Sequence, residues 1–294
     1  MNRYLEGFKQ DLFNTIMDLT GKSFLKILLA YTAISIIMIG MMWVFFNLGL
    51  GLNMSFLTQL SDPEAIKDLT SQLEFTQLSF GFYVFAGIFV VLMMLISTWN
   101  INLFLIISNQ FIVEGSCNLK YALSQSINRN VIIILLAILL FYVMLIAGIV
   151  FSVALASVSG FITFLMIIVL ILFLLKFAIV IPAISLNNIS FADAFAFSFH
   201  HITWKRSLKL FMIIIIFMIL MMIFGLVFSL IYTALTVFPN VGVVIQLVTQ
   251  IVLGALMASF VSAATIGLYY RYAEFDQQSE SMNSGNEELH ITES

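Results

Sequence analysis

Four polar side chains in this sequence have the type and position to do chemistry: Lys176, Asn102, Gln246 and Gln250. Each lies inside a long apolar run, and a polar group surrounded by hydrocarbon is costly enough to be a default pointer to function. Two readings compete. In one, Lys176 and Asn102 share the inner half of a cavity whose outer half is lined by Gln246 and Gln250, one helical turn apart. A cation beside amide donors and acceptors suits binding a small molecule rather than making or breaking bonds. In the other, the Lys176 ammonium snorkels to the nearer membrane surface. The amides then bridge helices, each bridge worth about 0.6–2 kcal/mol. The second reading demands less of the chain and is preferred.

Groups that could make bonds are sparse. The histidines are His200, His201 and His290. Neighbours on a helix diverge by about 100°, so His200 and His201 do not readily face one metal ion. Asp193 precedes His200 by two helical turns and makes at best a weak acid–base pair. No HExxH zinc motif, GxSxG nucleophile turn or glycine-rich phosphate loop occurs. No Asp or Glu falls within the apolar runs, which argues against carboxylate proton relays and paired-acid hydrolysis. No catalytic, cofactor-binding or metal-ligating residue is therefore expected, and no cofactor. The single cysteine, Cys117, excludes an intramolecular disulfide.

The elements that position these residues follow from composition. The chain of 294 residues is 62% hydrophobic and 9% charged, whereas soluble domains carry about 25% charged residues. So few charges cannot cover a surface facing water. A helix needs about 20 apolar residues to cross the hydrocarbon core. Segments 24–46, 80–107, 131–156, 161–182, 208–238 and 241–270 qualify. The turns at 157–160 and around Pro239-Asn240 are so short that the spans they join form antiparallel hairpins. Gly40, Gly81, Gly87 and Pro182 give little sign of a break within a span.

Basic residues set the orientation. Arg3, Lys9, Lys22, Lys26, Lys120, Arg129, Lys205, Arg206, Lys209 and Arg271 fall on the side of the termini, and only Lys67 on the other. The positive-inside rule places both termini in the cytoplasm, as expected of a multi-pass protein of the inner cell membrane. These residues lie scattered along a membrane rim, where anionic lipid accounts for them. Membrane lipid, and other membrane proteins, are the expected partners; nucleic acid is not implied. The N-terminal stretch lacks the apolar core and cleavage site of a signal peptide and is read as uncleaved.

Three stretches at the cytoplasmic side are amphipathic: Leu5, Phe8, Leu12, Ile16 and Leu19; then Leu119, Leu123 and Ile127; then Phe191, Phe195 and Phe199. Such helices lie along the interface, apolar face down. The second and third units match residue by residue. Ala122 and Ser126 correspond to Ala194 and Ser198. After an insertion, Gly148-Ile149-Val150-Phe151-Ser152 corresponds to Gly225-Leu226-Val227-Phe228-Ser229. This suggests an internal repeat of interfacial helix, span, tight turn and span. Asp62 and Pro63 can start a short outer helix in 47–79, with Ile66, Leu69 and Leu73 as its apolar stripe. Residues 273–294 are acidic, without Lys or Arg, and read as a disordered cytoplasmic tail.

Lipid tails are as apolar as leucine, so helices associate through close packing of small residues. Gly254, Ala258 and Ser262 form one ridge of the last span, and Ala263 and Gly267 belong to the adjacent one. Gly148 and Ser152 in the third span, and Gly225 and Ser229 in the fifth, repeat the spacing. The last span is expected at the centre of the bundle.

Ala194, Ser198 and Lys205, the Gly225 span, and Ala263 followed by Gly267-Leu268-Tyr269-Tyr270-Arg271 carry a resemblance. Over residues 119–271 the chain resembles six-span bacterial inner-membrane proteins related to the membrane domain of glycerophosphodiester phosphodiesterases. The soluble phosphodiesterase domain has no counterpart after Tyr272, so the resemblance implies an integral membrane role and supplies no catalytic residues. The expected fold is all-α and polytopic: six transmembrane helices as three hairpins with amphipathic interfacial helices on the cytoplasmic side, one membrane domain over 1–272 and the tail. The expected function is non-enzymatic, organising or regulating membrane components or engaging lipid. The alternative is a transporter or permease for a small or apolar molecule, with a membrane-embedded enzyme third. A wet cavity lined by Lys176, Asn102 and Gln250 would favour transport; a dry, close-packed centre would favour the first reading.

Overall fold

The computed structural model describes residues 2–45, 80–156, 159–187, 189–235 and 248–272. The expected outer helix within 47–79, Gln246, the Pro239-Asn240 turn, the Ser229 side chain and the tail 273–294 lie outside the described residues.

Every regular element among the described residues is a helix. In chain order these are α1 (Asn2–Gln10), α2 (Leu12–Val44), α3 (Phe80–Glu114), α4 (Leu119–Ser126), α5 (Asn130–Ala156), α6 (Gly160–Leu175), α7 (Val180–Asn187), α8 (Phe191–His201) and α9 (Trp204–Leu235). The last, α10, is Val248–Tyr272. Among the described residues, five stretches are long and apolar enough to cross a bilayer: α2, α3, α5, α6 with α7, and α10. The long helix α9 has 32 residues of the same apolar character.

Three short helices, α1, α4 and α8, each run into a long one through a joint of one to three residues. The joints are similar in backbone. Ile127 has φ −90° and ψ 79°, Ile202 has φ −92° and ψ 88°, and Asp11 has φ −138° and ψ 82°. Capping side chains set where the helices begin. The Asp11 carboxylate accepts from the Asn14 amide, Asn118 from the Lys120 and Tyr121 amides, and Ser190 from the Asp193 amide. The Asp11 cap lets Leu12–Leu19, expected to lie along the interface with the N-terminal stretch, continue directly into the first long helix. Tyr4 ties α1 back to it: its hydroxyl donates to Asp18 at 3.0 Å, and Asp18 also pairs with Lys22 at 3.0 Å. At its other end α3 runs to Glu114 and stops at Gly115, whose φ of +72° lies where a side chain would be strained.

The fourth expected span, 161–182, is interrupted, a break its sequence did not suggest. Between α6 and α7 the amides of Lys176, Phe177 and Ala178 bond three residues back, to Phe173, Leu174 and Leu175, and Val180 bonds to Phe177. This is a tightened, 3₁₀-type turn. Pro182 supplies the cause. It has no N–H to donate, and its ring collides with the carbonyl of residue 178 in a regular helix.

At 1.5 Å per residue, the 35 residues of α3 are far longer than the hydrocarbon core, about 30 Å thick. The buried clusters all sit toward the ends of the helices nearest the described termini, hereafter the terminal side. One joins Ile134, Ile179, Val180, Ala194, Ile202 and Tyr269; a second joins Phe8, Leu19, Ile112, Ala263 and Ile266; a third joins Ile27, Leu103, Ile107 and Ala122. Away from that side the long helices expose apolar side chains, such as Val143, Val150 and Val153 on α5 and Phe161 and Phe164 on α6. Hydrocarbon is the solvent those residues suit. Of these five, α10 is the best enclosed: 44% of its apolar core is buried, against 6–22% for the other four.

Candidate functional site

One group of polar side chains on the terminal side gathers where α3, α4, α5 and α7 meet. Asn102 is fully buried. Its Nδ2 donates to the Ser126 carbonyl at 2.9 Å, and Ser185 Oγ donates to its Oδ1 at 2.6 Å. Trp99 Nε1 donates to Ser126 Oγ at 2.7 Å, and that hydroxyl donates onward to the Leu123 carbonyl. Asn130 Nδ2 donates to the Ile184 carbonyl at 3.1 Å. Ser126 and Ile184 lie in the last turns of α4 and α7, where carbonyls lack helical partners. The two amides supply donors to those carbonyls and join four neighbouring elements.

Lys176 lies in the tightened turn and is 6% exposed. Its Nζ sits 3.5 Å from the centroid of the Phe199 ring and 5.3 Å from that of Trp204. A cation over an aromatic face gains electrostatic attraction from the ring quadrupole. Its backbone carbonyl accepts from Ser198 Oγ at 2.7 Å, which locks α8 beneath the turn. Lys176 and Asn102 therefore have different partners: the aromatic rings and Ser198 for one, Ser126 and Ser185 for the other. Gln250 is exposed on the first turn of α10. Asp193 is engaged by Ser190 as a cap, and His201 Nδ1 lies 2.6 Å from the Phe197 carbonyl, while His200 is exposed. Among the described residues no group of three His, Cys, Asp or Glu could hold a metal.

The small residues fall into three environments. On α10, Gly267 faces the buried Phe8 ring and Gly254 faces the Tyr31 ring, so α1 and α2 pack against them. Ser262 Oγ is 2.9 Å from Ser108 Oγ of α3; Ala263 is fully buried, and Ala258 packs on the third cluster. Gly148 lies against Leu170 of α6, and Ser152 donates to the Gly148 carbonyl. Gly225 has open space where a side chain would go. Sequence reasoning missed Ser23, which lies 2.9 Å from Ser259 Oγ, and Ser185; lone serines in apolar helices give no pattern to find.

A cluster of cations was also missed, because its members were counted only as markers of orientation. Arg206 and Lys209 of α9 and Arg271 of α10 line a cavity of about 380 Å³, together with Leu12, Phe13 and Tyr272. The Arg206 guanidinium lies 4.4 Å from the Tyr272 ring centroid and donates to the His201 carbonyl; Arg271 donates to the Phe8 carbonyl at 3.1 Å. Outside the spans, burial pushes the Cys117 thiol above its ordinary value; Lys26 opposes this and Glu114 adds to it.

These features define an all-α, multi-pass protein embedded in a membrane and fastened at one side. No protein family, curated protein or solved structure matches the chain.

Proposed function

We propose that this chain is a non-enzymatic, six-span inner-membrane protein that organises or regulates membrane components, or engages lipid, at the cytoplasmic surface. One observation carries the reading. Buried polar side chains of the terminal side join helix to helix, as in Asn102 with Ser126 and Ser185, and Lys176 is engaged elsewhere, over the Phe199 and Trp204 rings. Groups held in this way build a rigid platform. With α9 as a further span, the ten basic residues of the terminal side support a cytoplasmic position for that platform. The matching joints at Ile127 and Ile202 support the internal repeat, and with it kinship to the six-span group named above. The test is a pull-down of the full chain from native membranes, with lipid and protein identified together. Reproducible co-purification of a membrane component supports the reading; recovery of the chain with neither lipid nor protein overturns it.

A second reading, transport of a small molecule, draws on the interrupted α6–α7 segment. Interrupted spans build binding sites in transporters, and Lys176 lies at this one. A cysteine replacing Lys176 in reconstituted vesicles separates the two. Reaction with a water-soluble thiol reagent added from either side supports a wet path; protection from both sides supports the platform.

A further inference from the structure

We propose that the cavity between the starts of α2 and α9 and the end of α10 binds the phosphate of an anionic phospholipid headgroup. The inference deepens the lipid-engaging reading above and rests on it. Three cations, Arg206, Lys209 and Arg271, line the cavity, and no Asp or Glu lines it among the described residues. Arg206 and Lys209 are one turn apart at the start of α9, and Arg271 approaches from the opposite wall. Two of the three are fixed in place. Arg271 is tethered to the Phe8 carbonyl and Arg206 to the His201 carbonyl, with Arg206 also lying over Tyr272. Each tether uses one of the five guanidinium N–H donors, so donors remain for an anion. Lys209 is exposed and supplies a mobile third charge. An anion here would meet preorganised charge, so little ordering is left for binding to impose.

The surroundings select lipid over a small anion. Leu12, Phe13, Leu210, Ile213 and Leu268 complete the wall. Phe13 is 45% exposed, and Met212 and Ile216 continue an exposed apolar surface along α9 away from the cations. A headgroup in the cavity therefore has an apolar path for its acyl chains. Basic cavities between spanning helices are a recognised arrangement for anionic headgroups. The other described cavity with several charged or polar walls, between α1 and α2, carries Glu6 and Asp18 instead and would repel the same ligand.

The test uses the full chain in phosphatidylcholine nanodiscs containing a minority of phosphatidylglycerol, with retained lipid counted by native mass spectrometry. The wild type is expected to enrich phosphatidylglycerol. Lys209→Gln with Arg271→Gln is expected to lower that enrichment by about tenfold, each cation being worth roughly half that effect on a logarithmic scale. Lys209→Glu alone, at an exposed position, guards against misfolding of the double variant and should lower enrichment severalfold at unchanged melting temperature. Equal enrichment in wild type and Lys209→Glu overturns the proposal. Enrichment seen only after removal of residues 273–294 also overturns it, because the acidic tail would then be the occupant. A chain that enters no nanodisc instead refutes membrane embedding, and so the reading on which this one rests.

Discussion

At Asn102 one amide holds two helices that lie far apart in sequence, and its value is set by what is left behind when it is removed. Asn102→Ala would leave the Ser126 carbonyl and the Ser185 hydroxyl without that partner in a buried site. Each unpaired buried group costs about 1–3 kcal/mol. The variant should melt lower than wild type in mild detergent, and Ser185→Ala should melt between the two, since it leaves one buried group, Asn102 Oδ1, without that partner rather than two. Cys117 is a different kind of residue test. Its thiol is held neutral by burial, with Lys26 opposing and Glu114 adding to the effect. A pKa raised on folding contributes stability that is intact below the ordinary thiol range and is lost as pH climbs through the raised value. Wild type should therefore lose melting temperature above that range relative to Cys117→Ala, and iodoacetamide should label the folded chain at pH 8 more slowly than the unfolded one. The sequence flagged Asn102 because an amide in an apolar run stands out. It could not say which of two uses the amide had, because its partners Ser126 and Ser185 lie in other elements.

Among the elements, α10 is the one whose small residues are easiest to test by contrast. A methyl added at Gly267 would come within 2.8 Å of Phe8 Cε1, and the Phe8 ring is fully buried with little room to yield. Overpacking of this kind costs about 1–3 kcal/mol. Gly225 of α9 meets nothing within 4 Å, and alanine is the better helix former there by about 1 kcal/mol. Gly267→Ala should lower the melting temperature, and Gly225→Ala should leave it level or raise it, although the two glycines have the same small-residue spacing on the page. That spacing marks possible contact faces. It does not say which face has a neighbour, and only the neighbour decides the sign. Long apolar helices were legible for the same reason that partners were not: hydropathy is local and contact is not. The start of α2 and the break before α7 show the boundary between the two. Asp11 and Pro182 are both visible in the sequence, yet the first divides a stretch that looked continuous, and the second acts on the backbone several residues before it.

For the molecule as a whole, composition and the placement of basic residues gave the membrane class, but not the concentration of fastening on one side. All three buried clusters and the serine and asparagine contacts between helices belong to the terminal side, while at the far end Phe45 stacks on Phe85 and Phe89. There water competes for apolar surface, so burying Phe8 or Ile202 is favourable by about 1.5–3 kcal/mol. Where lipid surrounds the helices, the same burial gains little. The tryptophans happen to sample both regimes. Trp43 is 42% exposed near the far end of α2, whereas Trp99 is bonded within the Asn102 junction. Single-tryptophan versions of the chain, taken through detergents of decreasing chain length, should lose native emission at position 43 well before position 99. Coincident loss at both would mean that the bundle comes apart as one unit. Disassembly in the expected order resembles a sheaf opening from its untied end, and the two indoles would time each stage.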